Sequence, residues 1–153
     1  MSTPHLGDLA GWTPYTFSPE PVSTAEFMPS WPRVHDPYPL LHGFSRLGHV
    51  FLSDSAQQQF CVVYPLQGGS KGYPAGSLAE FQRTVTGDPG FQAWIFPPDL
   101  VRPVVDRLGP IDPDQVYMPV PYPMLGGSGA PESYDKGDVW VFLEIVGQLW
   151  QQA

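Results

Sequence analysis

Five carboxylates in the last third of the chain stand close enough in sequence to act together. Asp112 and Asp114 flank a proline in Ile111-Asp112-Pro113-Asp114. Glu132, Asp135 and Asp138 surround Tyr134 and Lys136. Carboxylates so spaced could divide acid and base work, hold calcium, or form the anionic half of a protein interface. Calcium wants six to eight oxygens, and the EF-hand loop pattern is missing. A turn residue capping the next element explains Asp112 and Asp114 without any ligand. The second group lies in a Gly/Pro-rich stretch, where acids are usually solvated. Tyrosine, however, is a common interface anchor. The partner-binding candidates are therefore Asp112, Asp114, Glu132, Tyr134, Asp135 and Asp138.

Other chemistries find less support. His5, His35, His42 and His49 are scattered, with no second ligand three or four residues away, so no metal site is expected. No Gly-x-Ser-x-Gly elbow occurs. Gly68-Gly69-Ser70-Lys71-Gly72 follows an apolar run and carries a lysine, but lacks the spacing of a phosphate loop and has no helix directly behind it. Gly126-Gly127-Ser128-Gly129 reads as a tight turn. The single cysteine, Cys61, sits in Phe60-Cys61-Val62-Val63-Tyr64 and reads as core. No catalytic set and no cofactor are expected.

The elements that must position these residues can be read from pattern. Residues 48–54 and 59–64 read as two strands of an antiparallel hairpin. Residues 65–76, rich in Gly, Pro and Ser, read as a loop. Ser77 and Glu80 have capping-box spacing, predicting a helix to about Thr86 with Leu78, Phe81 and Val85 on its apolar face. Phe91 to Phe96 reads as a short helical or irregular piece. Pro97-Pro98-Asp99 opens a helix over 100–108 with Pro103 in its first turn, closed by Gly109-Pro110. Residues 115–120 read as a proline-limited strand. Val139 and Val141 fit a strand, and Leu143, Val146, Leu149 and Trp150 the buried face of a terminal helix. Eight of the 20 prolines fall in residues 1–43, together with six Trp, Tyr and Phe residues. That segment is expected to be an extended arm packed on the body, with one helical turn near Ser23 to Phe27, or else a disordered tail that folds on a partner. The expected fold is α+β, a small antiparallel sheet packed against two or three helices, with arm 1–43 and domain 44–153.

Composition narrows the function. At 153 residues with 42% apolar content, the chain can bury a core without staples. Its net charge of −8 repels phosphate backbones, which argues against nucleic-acid or anionic-membrane partners, and would steer a basic partner inward. The same charge could serve solubility alone. No run approaches the roughly 18 apolar residues of a membrane span, and the first residues are no signal peptide. With one cysteine, the expected location is cytoplasmic.

An ordered series of short motifs carries a family resemblance. It runs from Gly48-His49-Val50-Phe51-Leu52-Ser53-Asp54 and the Phe60–Tyr64 strand, through Phe81 and Asp88-Pro89-Gly90-Phe91, to Leu108-Gly109-Pro110-Ile111 and Asp114 to Val116-Tyr117. It ends with Leu125-Gly126-Gly127 and Lys136-Gly137-Asp138-Val139-Trp140-Val141-Phe142-Leu143. Over residues 43–149 the chain resembles the C-terminal domain of type VI secretion immunity proteins, often found after a GAD-like domain. The resemblance implies a non-catalytic bacterial immunity protein that binds and neutralises a cognate secreted toxin or effector, such as a nuclease, whose surface would be basic. An adaptor or structural interaction module is the alternative, and a small hydrolase with an unrecognised site a third. A homodimer formed by swapping the arm is also open.

Overall fold

The computed structural model describes residues 12–152; His5, weighed above as a metal ligand, lies outside them. The fold is α+β, as the element pattern predicts. Five antiparallel strands follow one another as a meander: β1 (Tyr15–Ser23), β2 (Leu40–Ser45), β3 (Val50–Ser53), β4 (Gln59–Tyr64) and β5 (Gly69–Pro74). Two one-turn helices, α1 (Thr24–Phe27) and α2 (Pro32–His35), connect β1 to β2. Beyond the sheet come α3 (Leu78–Gly87), α4 (Pro89–Ile95) and α5 (Pro98–Leu108). A separate hairpin of β6 (Gln115–Pro119) and β7 (Tyr134–Asp138) leads into α6 (Val139–Gln152).

The central strands are buried on both faces, which is why β3 and β4 read as continuous apolar runs. Val50, Leu52, Cys61 and Val63 point to one core, shared with Trp31, Phe142, Leu143 and Val146 of the α2 and α6 side. Phe51, Phe60 and Val62 point to the other, shared with Phe81, Val85, Ile95, Val101 and Val104 of α3 to α5. The two faces of one sheet thus nucleate two helix layers. Gly43 permits the β1–β2 approach: a Cβ there would lie 2.4 Å from the Thr16 carbonyl oxygen. Gly48 turns β2 into β3 at φ +90°, with its open side against the Phe142 ring.

Local signals place the helices closely. Ser77 caps α3 by accepting from the Glu80 amide at 3.1 Å, while the Glu80 carboxylate accepts from the Gly76 amide at 2.8 Å, one residue before the expected cap position. Asp88 ends α3 and caps α4 through the Phe91 amide. Gly109 closes α5 at φ +74°. The helical turn expected near Ser23 is α1, capped by Ser23. Within residues 12–43, β1 pairs with β2 as an edge of the main sheet, and α1 and α2 lie between the two strands.

Three readings change. Residues 65–76 are not a loop throughout: residues 69–74 form β5, whose partner strand β4 supplies the ladder that Gly-rich sequence cannot advertise. Val139 and Val141 are helical, because Asp138 accepts from the Trp140 and Val141 amides at 2.9 and 3.0 Å and starts α6 there. Pro103 sits past the first turn of α5, since that helix begins at Pro98. Its missing N–H removes the helix hydrogen bond that the Asp99 carbonyl would otherwise accept.

Candidate partner-binding site

The β6–β7 hairpin brings the sequence-predicted acids onto one structural unit. Its register pairs Gln115 with Asp138, Met118 with Asp135 and Pro119 with Tyr134. Asp114 adjoins the same end as Asp138, since the Val139 amide donates to the Asp114 carbonyl at 2.9 Å. Asp112, Asp114 and Asp138 therefore gather where the hairpin meets α6. Asp135 lies further along β7, and Glu132 on the short helical turn just before it.

All five carboxylates are exposed. Among the described residues none of them makes an ion pair; the single salt bridge there joins His35 to Asp36 at 2.8 Å. Lys136, the nearest cation in sequence, instead donates to the Leu108 carbonyl at 3.4 Å. The negative charge is thus left for solvent or a partner. Tyr134 differs from the acids. It is 7% exposed and packs into the core on the α5 side, while Arg107 donates to its carbonyl and to that of Pro131. Its ring supports this surface from beneath and does not project from it.

Sequence reasoning missed the group that shapes the acidic turn. Arg46, 5% exposed, reaches under residues 112–115. Its Nε donates to the Thr13 carbonyl at 2.9 Å, and its Nη1 to the carbonyls of Pro113, Asp112 and Gln115 at 2.9, 3.2 and 3.3 Å. Burial pulls the guanidinium below its ordinary pKa, opposed by Tyr117 and by Asp114. Because carbonyls satisfy the cation, the carboxylates above it stay unpaired. The only sequence signal was one arginine inside the otherwise uncharged run Gly43 to Leu47.

Among the described residues no group of three or more His, Cys, Asp or Glu side chains could hold a metal ion. His42 is buried, with Nε2 2.7 Å from Ser53 Oγ, and burial lowers its pKa. His49 Nδ1 lies 2.7 Å from Ser45 Oγ, and burial lowers its pKa to about 4. Ser45 Oγ already accepts from the amides of Leu47 and His49, so its proton goes to Nδ1 and leaves N–H on Nε2. His49 lines a cavity of about 460 Å³ with Tyr64, Lys71 and Trp94. A hydrolase would need a nucleophile there. Ser70 supplies a hydroxyl in that cavity, but no described carboxylate lines it, and a histidine whose pKa is lowered to about 4 is a weak base at neutral pH.

Among the described residues no helix is long and apolar enough to cross a membrane. Residues 76–150 match the family described as T6SS immunity protein Tdi1, C-terminal, which bears out the family resemblance and supports an immunity role in general. All five exposed acids lie inside the matched stretch, and the whole five-stranded sheet lies outside it. No curated protein matches the chain. Among solved structures, the fold is similar to that of Atu4351 from Agrobacterium tumefaciens, with a TM-score of 0.66 at 18% identity. The likeness covers 88% of this chain and 66% of that one.

Proposed function

We propose that this chain is a non-catalytic immunity protein that binds a cognate secreted toxin and neutralises it in the cytoplasm of the producing cell. The observation that carries this reading is the set of five exposed, unpaired carboxylates on and around the β6–β7 hairpin, inside the stretch that matches the immunity family. A surface of this sign fits a basic toxin. Complementary potential would raise the association rate and disfavour acidic competitors. The binding residues are Asp112, Asp114, Glu132, Asp135 and Asp138, with Tyr134 and Arg46 holding the backbone beneath them.

Inhibition would follow from occlusion, since nothing here needs to react. The test is co-expression with the product of the adjacent gene, scored for survival and for a co-purifying complex. Rescue of growth with a one-to-one complex is expected. An intact toxin that kills equally with and without this chain would overturn the reading.

A further inference from the structure

The two edges of the main sheet are not alike. At β1 the register shifts between Phe17 and Val22, and Pro19 and Pro21 fall in the shifted stretch. Bulges and prolines block strand addition. At the other edge β5, which ends in Pro74, pairs among the described residues with β4 alone, in unbroken register from Gln59–Pro74 to Tyr64–Gly69, and its residues are exposed except half-buried Tyr73. One lysine, Lys71, could guard this edge. Its ammonium instead sits 4.8 Å over the Trp94 ring and 5.4 Å from that of Tyr73.

A cavity opens on each face of the sheet beside this edge. On the α6 face a cavity of about 540 Å³ is lined by Trp31, Arg33, Ser70 and Trp150. On the α4 face lies the cavity of about 460 Å³ lined by His49, Tyr64, Lys71 and Trp94. Trp94 is 50% exposed there. Gly69 and Ser70 of β5 border both cavities, while the register sets Ser70 beside Val63 of the first core and Lys71 beside Val62 of the second. Among the described residues each cavity is lined by one cation, Arg33 or Lys71, and neither by a carboxylate, in a chain of net charge −8. The His49 Nε2–H adds a donor on the Lys71 side.

We propose that β5 receives an extended acidic segment of a partner protein as a sixth strand. Successive side chains of an added strand point to opposite faces. Two adjacent carboxylates on the incoming segment would therefore meet Arg33 on one face and Lys71 with His49 on the other. Backbone pairing supplies affinity and the two cavities supply selectivity. A second copy of this chain is a poor occupant, because pairing β5 with itself would bring Lys71 and Arg33 against their own copies. This proposal is independent of the toxin reading, whose surface has the opposite sign.

The test uses the isotope-labelled full chain without toxin. The probes are the acetylated, amidated peptide Thr-Val-Thr-Asp-Glu-Thr-Val-Thr and a counterpart with Lys-Lys in place of Asp-Glu, each at millimolar concentration. Expected are amide shifts and slowed hydrogen exchange over residues 69–73 with the acidic peptide, binding about tenfold more tightly than the basic one. The double variant Arg33→Glu/Lys71→Glu should reverse that preference while its circular dichroism stays unchanged. Equal binding of both peptides, no response of the 69–73 amides, or the same shifts with glutarate alone would overturn the proposal. So would concentration-dependent dimerisation that blocks the edge.

Discussion

Arg46 Nη1 lies 2.9 Å from the carbonyl oxygen of Pro113, sixty-seven residues away in sequence. This contact joins the β2–β3 turn to the acidic turn before β6, and so ties the main sheet to the unit that carries the carboxylates. Replacing Arg46 by Met would keep an apolar stem and delete every donor. Four carbonyls would then lose a donor, of which Asp112 keeps the Gln115 amide and Pro113 the Thr16 hydroxyl. Arg46→Met is expected to cost about 2–4 kcal/mol in urea unfolding, and Arg46→Lys to recover under half, because an ammonium cannot reproduce the planar fork.

The acids divide into those that carry charge and one that also holds structure. Asp112→Asn with Asp114→Asn should leave stability within about 0.5 kcal/mol and slow association with the cognate toxin about 3–10-fold at low salt. Raising ionic strength should shrink that difference. Asp138→Ala should in addition destabilise the fold by about 1 kcal/mol, since Asp138 caps α6. Stopped-flow association at two salt concentrations, with urea titrations alongside, separates these effects.

His49 predicts a pH dependence with a definite sign. Its folded pKa of about 4 lies below the ordinary 6.5, so between those values the unfolded chain binds more protons than the folded one. Stability is full above pH 6.5 and falls as pH drops towards 4. His42 is shifted in the same direction and adds to the slope. Urea midpoints measured from pH 7.5 to 4.5 should fall, and His49→Gln should flatten the curve by an amount on the order of 2 kcal/mol across the range. A variant as pH-sensitive as the parent would refute the assignment to His49.

Cys61 is 1% exposed, and burial raises its thiol pKa to about 11, against hydrogen bonds from Ser70 and Lys71 that oppose the shift. It should resist a disulfide-exchange reagent at pH 8 for as long as the chain is folded. Adding urea past the unfolding midpoint should release full reactivity.

Gly147 sets how closely α6 approaches α2. A Cβ there would fall 2.6 Å from Trp31 Nε1, which donates to the Leu143 carbonyl at 2.8 Å. Gly147→Ala is expected to destabilise by about 1–3 kcal/mol and to shift Trp fluorescence to the red as that indole is displaced.

Much of the fold was legible locally, for reasons that can be named. The cap at Ser77, the stop at Gly109 and the apolar runs of β3 and β4 depend on residues within a few positions of one another, so the linear order already contains the interaction. The exposure of Asp112, Asp114, Glu132, Asp135 and Asp138 belongs to this class, because acids beside Gly and Pro have little means of burial, whereas the strand β7 under Asp135 and Asp138 does not. Tertiary structure decided the rest. β5 exists because β4 offers a ladder to Gly69–Pro74, and a strand without apolar alternation leaves no trace in sequence. Tyr134 became a buried support once α5 covered it. Arg46 found its carbonyls across 33 to 69 residues, and only such long-range hydrogen bonds let a charged side chain sit in the interior while five carboxylates remain free at the surface.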